Sequence, residues 1–313
     1  MGSFFGDMKS FWEQGGFANP SATASVGRTF YVDTINGNNG RTGREPTKAF
    51  ATMARALALV SDNDTIIVSG VVREQVVTPA GVFDVTIRGA GNRPRQATSG
   101  GVPTGGGATW MPPASGAAAT TALLKIIEQG WVVENIQFVP HTSSSGVTIQ
   151  RENSTPEKDG SHATIRGCRF VIGDGTTPNG ILFLDGGYNC VIEGNEFEGL
   201  TGTAILSSGT GVSVPLNNKI LGNRFITCTH CIAISSVKGL VQGNIFDVAA
   251  DNTNNKVNLV SVSAQGSGNR VLDNHFADAV ANVTIAKGYK PGTSDVWRNW
   301  CTGAADAVIV VPA

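Results

Sequence analysis

The chain has 313 residues, a formal net charge of −1 and only 15% charged residues, a balance that argues against a broad electrostatic footprint for nucleic acid. No apolar run approaches the length of about 18 residues needed to span a membrane, and no basic region followed by an apolar stretch marks a secretory signal. Glycine is abundant at 40 residues, well above ordinary usage, which points to many tight corners.

Residues 1–27 differ in character from the rest of the chain. Phe4, Phe5, Met8, Phe11 and Trp12 share one helical face, on a segment too short to fold alone. Gly15, Gly16 and Pro20 then read as a linker. Two readings remain open for this aromatic face: an anchor that docks on another protein or on sister chains, or a tail that folds back to cap its own chain.

Residues 28–64 read as strand, turn and helix. Thr29-Phe30-Tyr31-Val32-Asp33 alternates as a strand, and Asn36-Gly37-Asn38-Asn39-Gly40 is a turn cluster. Thr47 is a candidate N-cap for a helix carrying Phe50, Met53, Ala54 and Leu57 at i, i+3, i+4 and i+7. Asp62-Asn63-Asp64 ends it, and Thr65-Ile66-Ile67-Val68 starts the next strand. A helix across the end of a stack of strands shields its core and blunts its edge.

Residues 65–313 carry a repeat. Val191 to Phe197 reads V-I-E-G-N-E-F. Copies stand at Ile220 to Phe225, Val241 to Phe246, Val271 to Phe276 and Val296 to Cys301, with looser ones at Val133 to Phe138 and Ile165 to Phe170. Five residues before each aromatic stands Val133, Ile165, Ile192, Ile220, Val241, Val271 or Val296, every one β-branched. Two before it stand Asn195, Asn223, Asn244, Asn274 and Asn299, usually preceded by Gly, and both residues tolerate the positive φ of a corner. Cys168 falls in the Asn column and Cys301 in the aromatic column.

A further strand is expected at a fixed offset. Seven and nine residues after the aromatic lie Ala204 and Leu206, Ile232 and Ile234, Val283 and Ile285, Val308 and Val310. The shortest unit runs 21 residues, Phe225 to Phe246, and the excess elsewhere falls in loops at 150–163, 172–179, 208–218, 249–258 and 287–294. Self-similarity at this period is the mark of a solenoid. Stacked units would place aliphatic, aromatic and Asn residues over their like, with amide bonds running between coils. The reading is an all-β, single-stranded parallel β-helix with an N-terminal capping helix and a short anchor peptide, right-handed because parallel crossovers are.

Few residues point to chemistry. Asp185, Glu193, Glu196 and Glu198 form the densest acidic cluster. Glycoside hydrolysis needs two carboxyl groups about 5–9.5 Å apart, a distance that coils stacked about 4.8 Å apart bring within reach. Asp185, Glu193 and Glu196 are therefore the catalytic candidates. The column of Glu196 also holds Arg169, Arg224, Ile245 and His275, which favours a solvated face of cross-coil charge pairs. Tyr289, Trp297 and Trp300 are candidates for glycan stacking, for a subunit interface or for closing the C-terminal end. Cys228-Thr229-His230-Cys231 has ligand-like spacing without a second such pair, so burial is expected and no metal. The odd count of five cysteines indicates no disulfide framework. No cofactor is expected.

The succession T-F-Y-V-D, N-G-N-N-G, A-F-A-T-M-A-R-A-L and D-T-I-I-V resembles the N-terminal cap of the pectate-lyase-like β-helix superfamily, in particular bacteriophage tailspike and surface-fibre proteins. The resemblance covers residue 28 to about 311. The R-x-P-x-x-R frame of the lyases is not matched by Asn92-Arg93-Pro94-Arg95. The N-T-D, D-D, G-H-G and R-I-K segments of polygalacturonase-like enzymes are missing, Asn252-Thr253-Asn254 lacking the acid. No catalytic residue carries over, and the expectation leans away from an enzyme. The resemblance implies a homotrimeric virion protein, assembled in the bacterial cytoplasm. It would be held to another virion protein through residues 1–27 and would touch host-surface polysaccharide. A capsid decoration or head-fibre protein, and a depolymerase with carboxylates between coils, are the alternatives.

Overall fold

Each repeat folds as three short strands separated by corners, and every strand lies over its counterpart in the next repeat. The computed structural model describes residues 27–91, 107–113, 122–141, 144–152, 158–172, 178–208, 215–234, 237–247, 257–258, 268–277, 295–297 and 300–302. Phe4, Phe5, Met8, Phe11, Trp12 and Tyr289 lie outside the described residues, as do Val283, Ile285, Asn299, Val308 and Val310.

Three parallel sheets result. The first begins with Thr29–Asp33 on Thr65–Val72 and continues through Thr86–Gly89, Val132–Glu134, Thr164–Arg166, Val191–Glu193, Lys219–Leu221, Leu240–Gln242, Arg270–Leu272 and Asp295–Trp297. The second starts at the far end of Thr65–Val72 and runs through Ala108–Trp110, Ile136–Phe138, Arg169–Val171, Glu196–Glu198, Arg224–Ile226, Ile245–Asp247, His275–Ala277 and Trp300–Thr302. The third stacks Val76–Val77, Leu124–Ile126, Ser145–Glu152, Asn179–Leu184, Thr203–Ser208, His230–Ala233 and Val257–Asn258. Residues 150–152, expected in a loop, extend the strand Ser145–Glu152, and Arg151 and Glu152 pair antiparallel with Lys158–Asp159. This is a parallel β-helix.

The interior is built from the columns that the repeat displays. Val133, Ile165, Ile192 and Ile220 are fully buried in register along the first sheet. On the second sheet Trp110, Phe138, Phe170, Phe197, Phe225 and Phe246 stack ring on ring, with centroids 4.8–5.7 Å apart and nearly parallel planes. From Phe170 to Phe246 the aromatic sits at the centre of its three-residue strand, so its two neighbours point outward.

The corner between these sheets divides its labour in a way that the dipeptide alone does not show. Only the first residue takes positive φ: Gly167, Gly194, Gly222 and Gly243 at 58–65°, with Asn135 and Asp273 in the same place at 56° and 54°. Asn195, Asn223, Asn244 and Asn274 are absent from that region; they are fully buried and hydrogen-bonded between coils. Each Oδ1 accepts the backbone N–H of the residue one coil before it: Cys168 to Asn195 at 2.9 Å, Asn195 to Asn223 at 3.0 Å, Asn223 to Asn244 at 2.9 Å and Asn244 to Asn274 at 3.0 Å. Each Nδ2 donates back to a first-sheet carbonyl and, in the first three, onward to the next Oδ1. Asn218 does the same at the opposite corner, accepting from Cys190 N–H at 2.8 Å and donating to the Gly187 carbonyl at 2.9 Å.

Two expectations need correction. The third sheet does not keep a fixed offset from the aromatic: Ile205, not Ala204, pairs with Ile232, and Leu206 pairs with Ala233. The connection before the strand is one residue longer in the earlier coil, which shifts the register. Ala204 is nevertheless buried, in a row of small residues that faces the ring stack. A Cβ on Gly146 would lie 2.8 Å from the Phe170 ring, and one on Gly180 would lie 2.5 Å from the Ala204 carbonyl and 2.8 Å from the Phe197 ring.

The second correction concerns the helix, which spans only Met53–Leu57 and is capped by Thr52, whose hydroxyl accepts Arg55 N–H at 3.2 Å. Thr47 lies in a separate 3-10 turn, Pro46–Lys48. The start is set by side chains from elsewhere. Asn39 Oδ1 accepts from Ala51 and Thr52 N–H, and the Glu74 carboxylate accepts from Met53 and Ala54 N–H. Ala54 is exposed; Met53, Ala56 and Leu57 are the buried residues and join Phe30 and Phe50 in the core.

Candidate functional site

Among the described residues the interior is filled by the stacked columns, and the candidate site lies on outward positions. A shallow groove of about 480 Å³ runs along the corner between the first and second sheets, lined by Glu134, Asn135, Arg166, Gly167, Glu193, Gly194, Leu221 and Gly222. Glu134, Arg166, Glu193 and Leu221 form one outward column in strict register. At about 4.8 Å per step the column spans roughly 14 Å.

The column opens with a charge bridge. Glu134 is 6% exposed and accepts from Arg166 Nε at 2.7 Å and from Arg88 Nε on the coil before. Burial opposes its ionisation, but the hydrogen bonds from Arg166 and Arg88 outweigh that and hold the carboxyl below the usual range. Glu193 comes after Arg166 in the column and is half-buried. Among the described residues its carboxylate has no hydrogen-bond or ion-pair partner.

The structure separates the three sequence-derived acidic candidates. Glu193 faces outward from the first sheet, Glu196 from the second, across the Gly194 corner, and Asp185 directly succeeds the third-sheet strand Asn179–Leu184 at φ 55°. Glu196 is brought instead to Arg169, whose Nε lies 2.9 Å from Glu196 Oε1 and whose Nη2 bridges to Glu198. Arg224, next in the column, pairs with Asp247 at 2.8 Å. The outer face of the second sheet is thus laced by cross-coil ion pairs, the arrangement that the alternating column predicts. Trp297 and Trp300 are placed by backbone register, Trp297 beside Leu272 and Trp300 beside His275, on the last described coil.

Cys228 and Cys231 are each 1% exposed and belong to the apolar core. Burial pushes the Cys228 thiol up to about 12, and its place in the apolar core is that of a small filler. No group of three or more His, Cys, Asp or Glu side chains that could hold a metal forms among the described residues.

With this geometry in view, comparison with solved structures identifies relatives in shape. The chain resembles the alginate lyase of Paenibacillus sp. str. FPU-7 with a TM-score of 0.55 and 14% identity, over 88% of this chain and 96% of that one. Escherichia coli YbhC matches with a TM-score of 0.55 and 13% identity, over 92% and 90%. The pectin methylesterase PemA of Erwinia chrysanthemi aligns at 0.45 and 13% identity, over 88% and 90%, too loosely to carry an argument. At these identities the likeness speaks for the parallel β-helix alone. No protein-family model matches the chain, and no curated protein matches its sequence.

Several residues of the groove were not singled out from sequence. Glu134, Arg166 and Leu221 each precede the aromatic column by four, as Glu193 does, so the repeat alignment holds the signal. Arg88 could not be found that way, because the segment between it and Trp110 is far longer than in other coils. Arg169 and Glu198 flank the aromatic residues and are legible from the same alignment. Their mutual contact is not.

Proposed function

We propose that this chain is a glycan-contacting spike or fibre protein of a bacteriophage virion, a homotrimeric right-handed β-helix attached through residues 1–27. The observation that carries the glycan reading is the corner groove. It is open and crosses four coils, and the acids near it are held by arginines rather than free for chemistry. Glycoside hydrolysis uses one carboxyl group as acid and a second as base or nucleophile. Glu134 is tied between Arg88 and Arg166, and Glu196 and Glu198 share Arg169. Among the described residues that leaves Glu193 as the one groove-lining carboxylate without an ion pair, which suits recognition of hydroxyl groups better than bond cleavage. Met53–Leu57 and the strand Thr29–Asp33 serve in this reading as the cap of the first coil.

The test is an incubation of the purified full chain with host-derived capsule or lipopolysaccharide, scored separately for binding and for chain shortening. Binding without shortening is the expected result. Shortening would replace this reading with a depolymerase, and absence of both would favour a capsid decoration protein, which virion micrographs would locate. Sedimentation that returned only monomer would remove the trimer from the proposal.

A further inference from the structure

The groove also carries information about which glycan it would hold. This inference rests on the glycan-binding reading above. Its floor is a run of residues at positive φ, one per coil: Asn135, Gly167, Gly194 and Gly222. A Cβ placed on Gly194 or Gly222 would meet nothing within 4 Å. Steric crowding therefore does not account for glycine there, and the backbone conformation accepts asparagine and aspartate in other coils. The effect of Gly167, Gly194 and Gly222 is a bare floor that follows Asn135.

The wall residues set the chemistry. Arg88 and Arg166 share Glu134, and Glu193 stands one coil further on without a partner among the described residues. Among the residues that line the groove, Glu134, Arg166 and Glu193 therefore carry one positive and two negative charges, with Arg88 reaching Glu134 from the coil before. A polyuronate chain would bring a carboxylate to each sugar and set one against Glu193, a like-charge contact that disfavours binding. A neutral sugar brings hydroxyl groups that donate to a carboxylate and accept from a guanidinium or an amide.

We infer that the corner groove takes a neutral polysaccharide lying along the stacking direction, with Glu193 accepting from sugar hydroxyls and the bare glycine floor admitting the rings. The ligand class is thereby narrowed to uncharged polysaccharides.

The experiment measures affinity of the full-length protein for dextran, mannan and galactan and, in parallel, for alginate as the polyuronate. Glu193→Gln and Gly194→Asn are tested beside the wild type. Asparagine suits this backbone, as Asn135 shows at φ 56°, so the Gly194→Asn variant should keep its melting temperature while its side chain obstructs the floor. The expected result is binding to at least one neutral polymer in preference to alginate, weakened about ten-fold by Glu193→Gln, the loss expected for one charge-assisted hydrogen bond, and weakened further by Gly194→Asn. Tighter binding to alginate, or neutral binding untouched by both substitutions, overturns the inference while leaving a glycan-binding protein. No binding to any of these polymers by the wild type overturns this inference, and the reading beneath it falls with it when host-derived capsule and lipopolysaccharide also go unbound.

Discussion

Replacing Asn223 by alanine tests whether the buried Asn ladder is what joins consecutive coils at this corner. Asn223 Oδ1 accepts the Asn195 backbone N–H and the Asn195 Nδ2 group, both at 3.0 Å. Its Nδ2 donates to the Ile192 carbonyl at 2.9 Å and to Asn244 Oδ1 at 3.0 Å. Asn223 is 1% exposed and Asn195 is 1% exposed, so water cannot replace what alanine removes. The Asn195 N–H would be left unpaired, at a cost of about 1–3 kcal/mol, and loss of the remaining amide bonds brings the total to about 3 kcal/mol. The Ile192 carbonyl would lose a side-chain donor. The assay is chemical denaturation together with native-state hydrogen exchange at the Asn195 amide, with Lys219→Ala, an exposed change in the same coil, as control. A loss under about 1 kcal/mol, near the range of surface substitutions, or unchanged protection at Asn195, would refute the reasoning.

Packing and charge give two more expected outcomes. Gly180→Ala should destabilise by about 1–3 kcal/mol in thermal or denaturant unfolding. The new Cβ would meet the Ala204 carbonyl at 2.5 Å, and a backbone atom inside a parallel sheet cannot turn aside as a side chain would. Asp64 should make part of the stability acid-sensitive. Burial opposes its charge, but hydrogen bonds from Arg28 and from Ser61 N–H hold its pKa below the ordinary value. A depressed folded-state pKa gives stability that is present above the unfolded value of about 3.9 and is lost as pH falls through the folded value. The stability gap between wild type and Asp64→Asn should therefore be full at pH 5 and shrink below about pH 4, as read from denaturation midpoints across that range. A gap independent of pH would count against it.

The groove and the ladder differ in how far the amino-acid sequence exposes them. Asn195, Asn223, Asn244 and Asn274 are legible because four successive coils make the same demand at that point. A buried amide must satisfy the coil before and the coil after, so the same residue type returns in register. The ring stack and the β-branched column are legible for the same reason. The third sheet is not. Its register depends on connection lengths that vary from coil to coil, so a constant offset placed Ala204 where Ile205 belongs. The helix start was missed because Asn39 and Glu74, at distances of 12 and 21 residues along the chain, supply the partners of its first N–H groups.

What the chain order by itself determined was therefore the interior: three residue types recurring at one period dictate strands that stack in parallel and an aliphatic, aromatic and amide core. Only the tertiary structure decided the outside. Glu193 and Glu196 are three residues apart, yet a corner sends them to different faces, one to a groove beside Arg166 and the other to Arg169. Interior positions repeat because each must match its copy above and below. Outward positions face solvent, carry no such constraint, and acquire their partners only when the coils are set side by side.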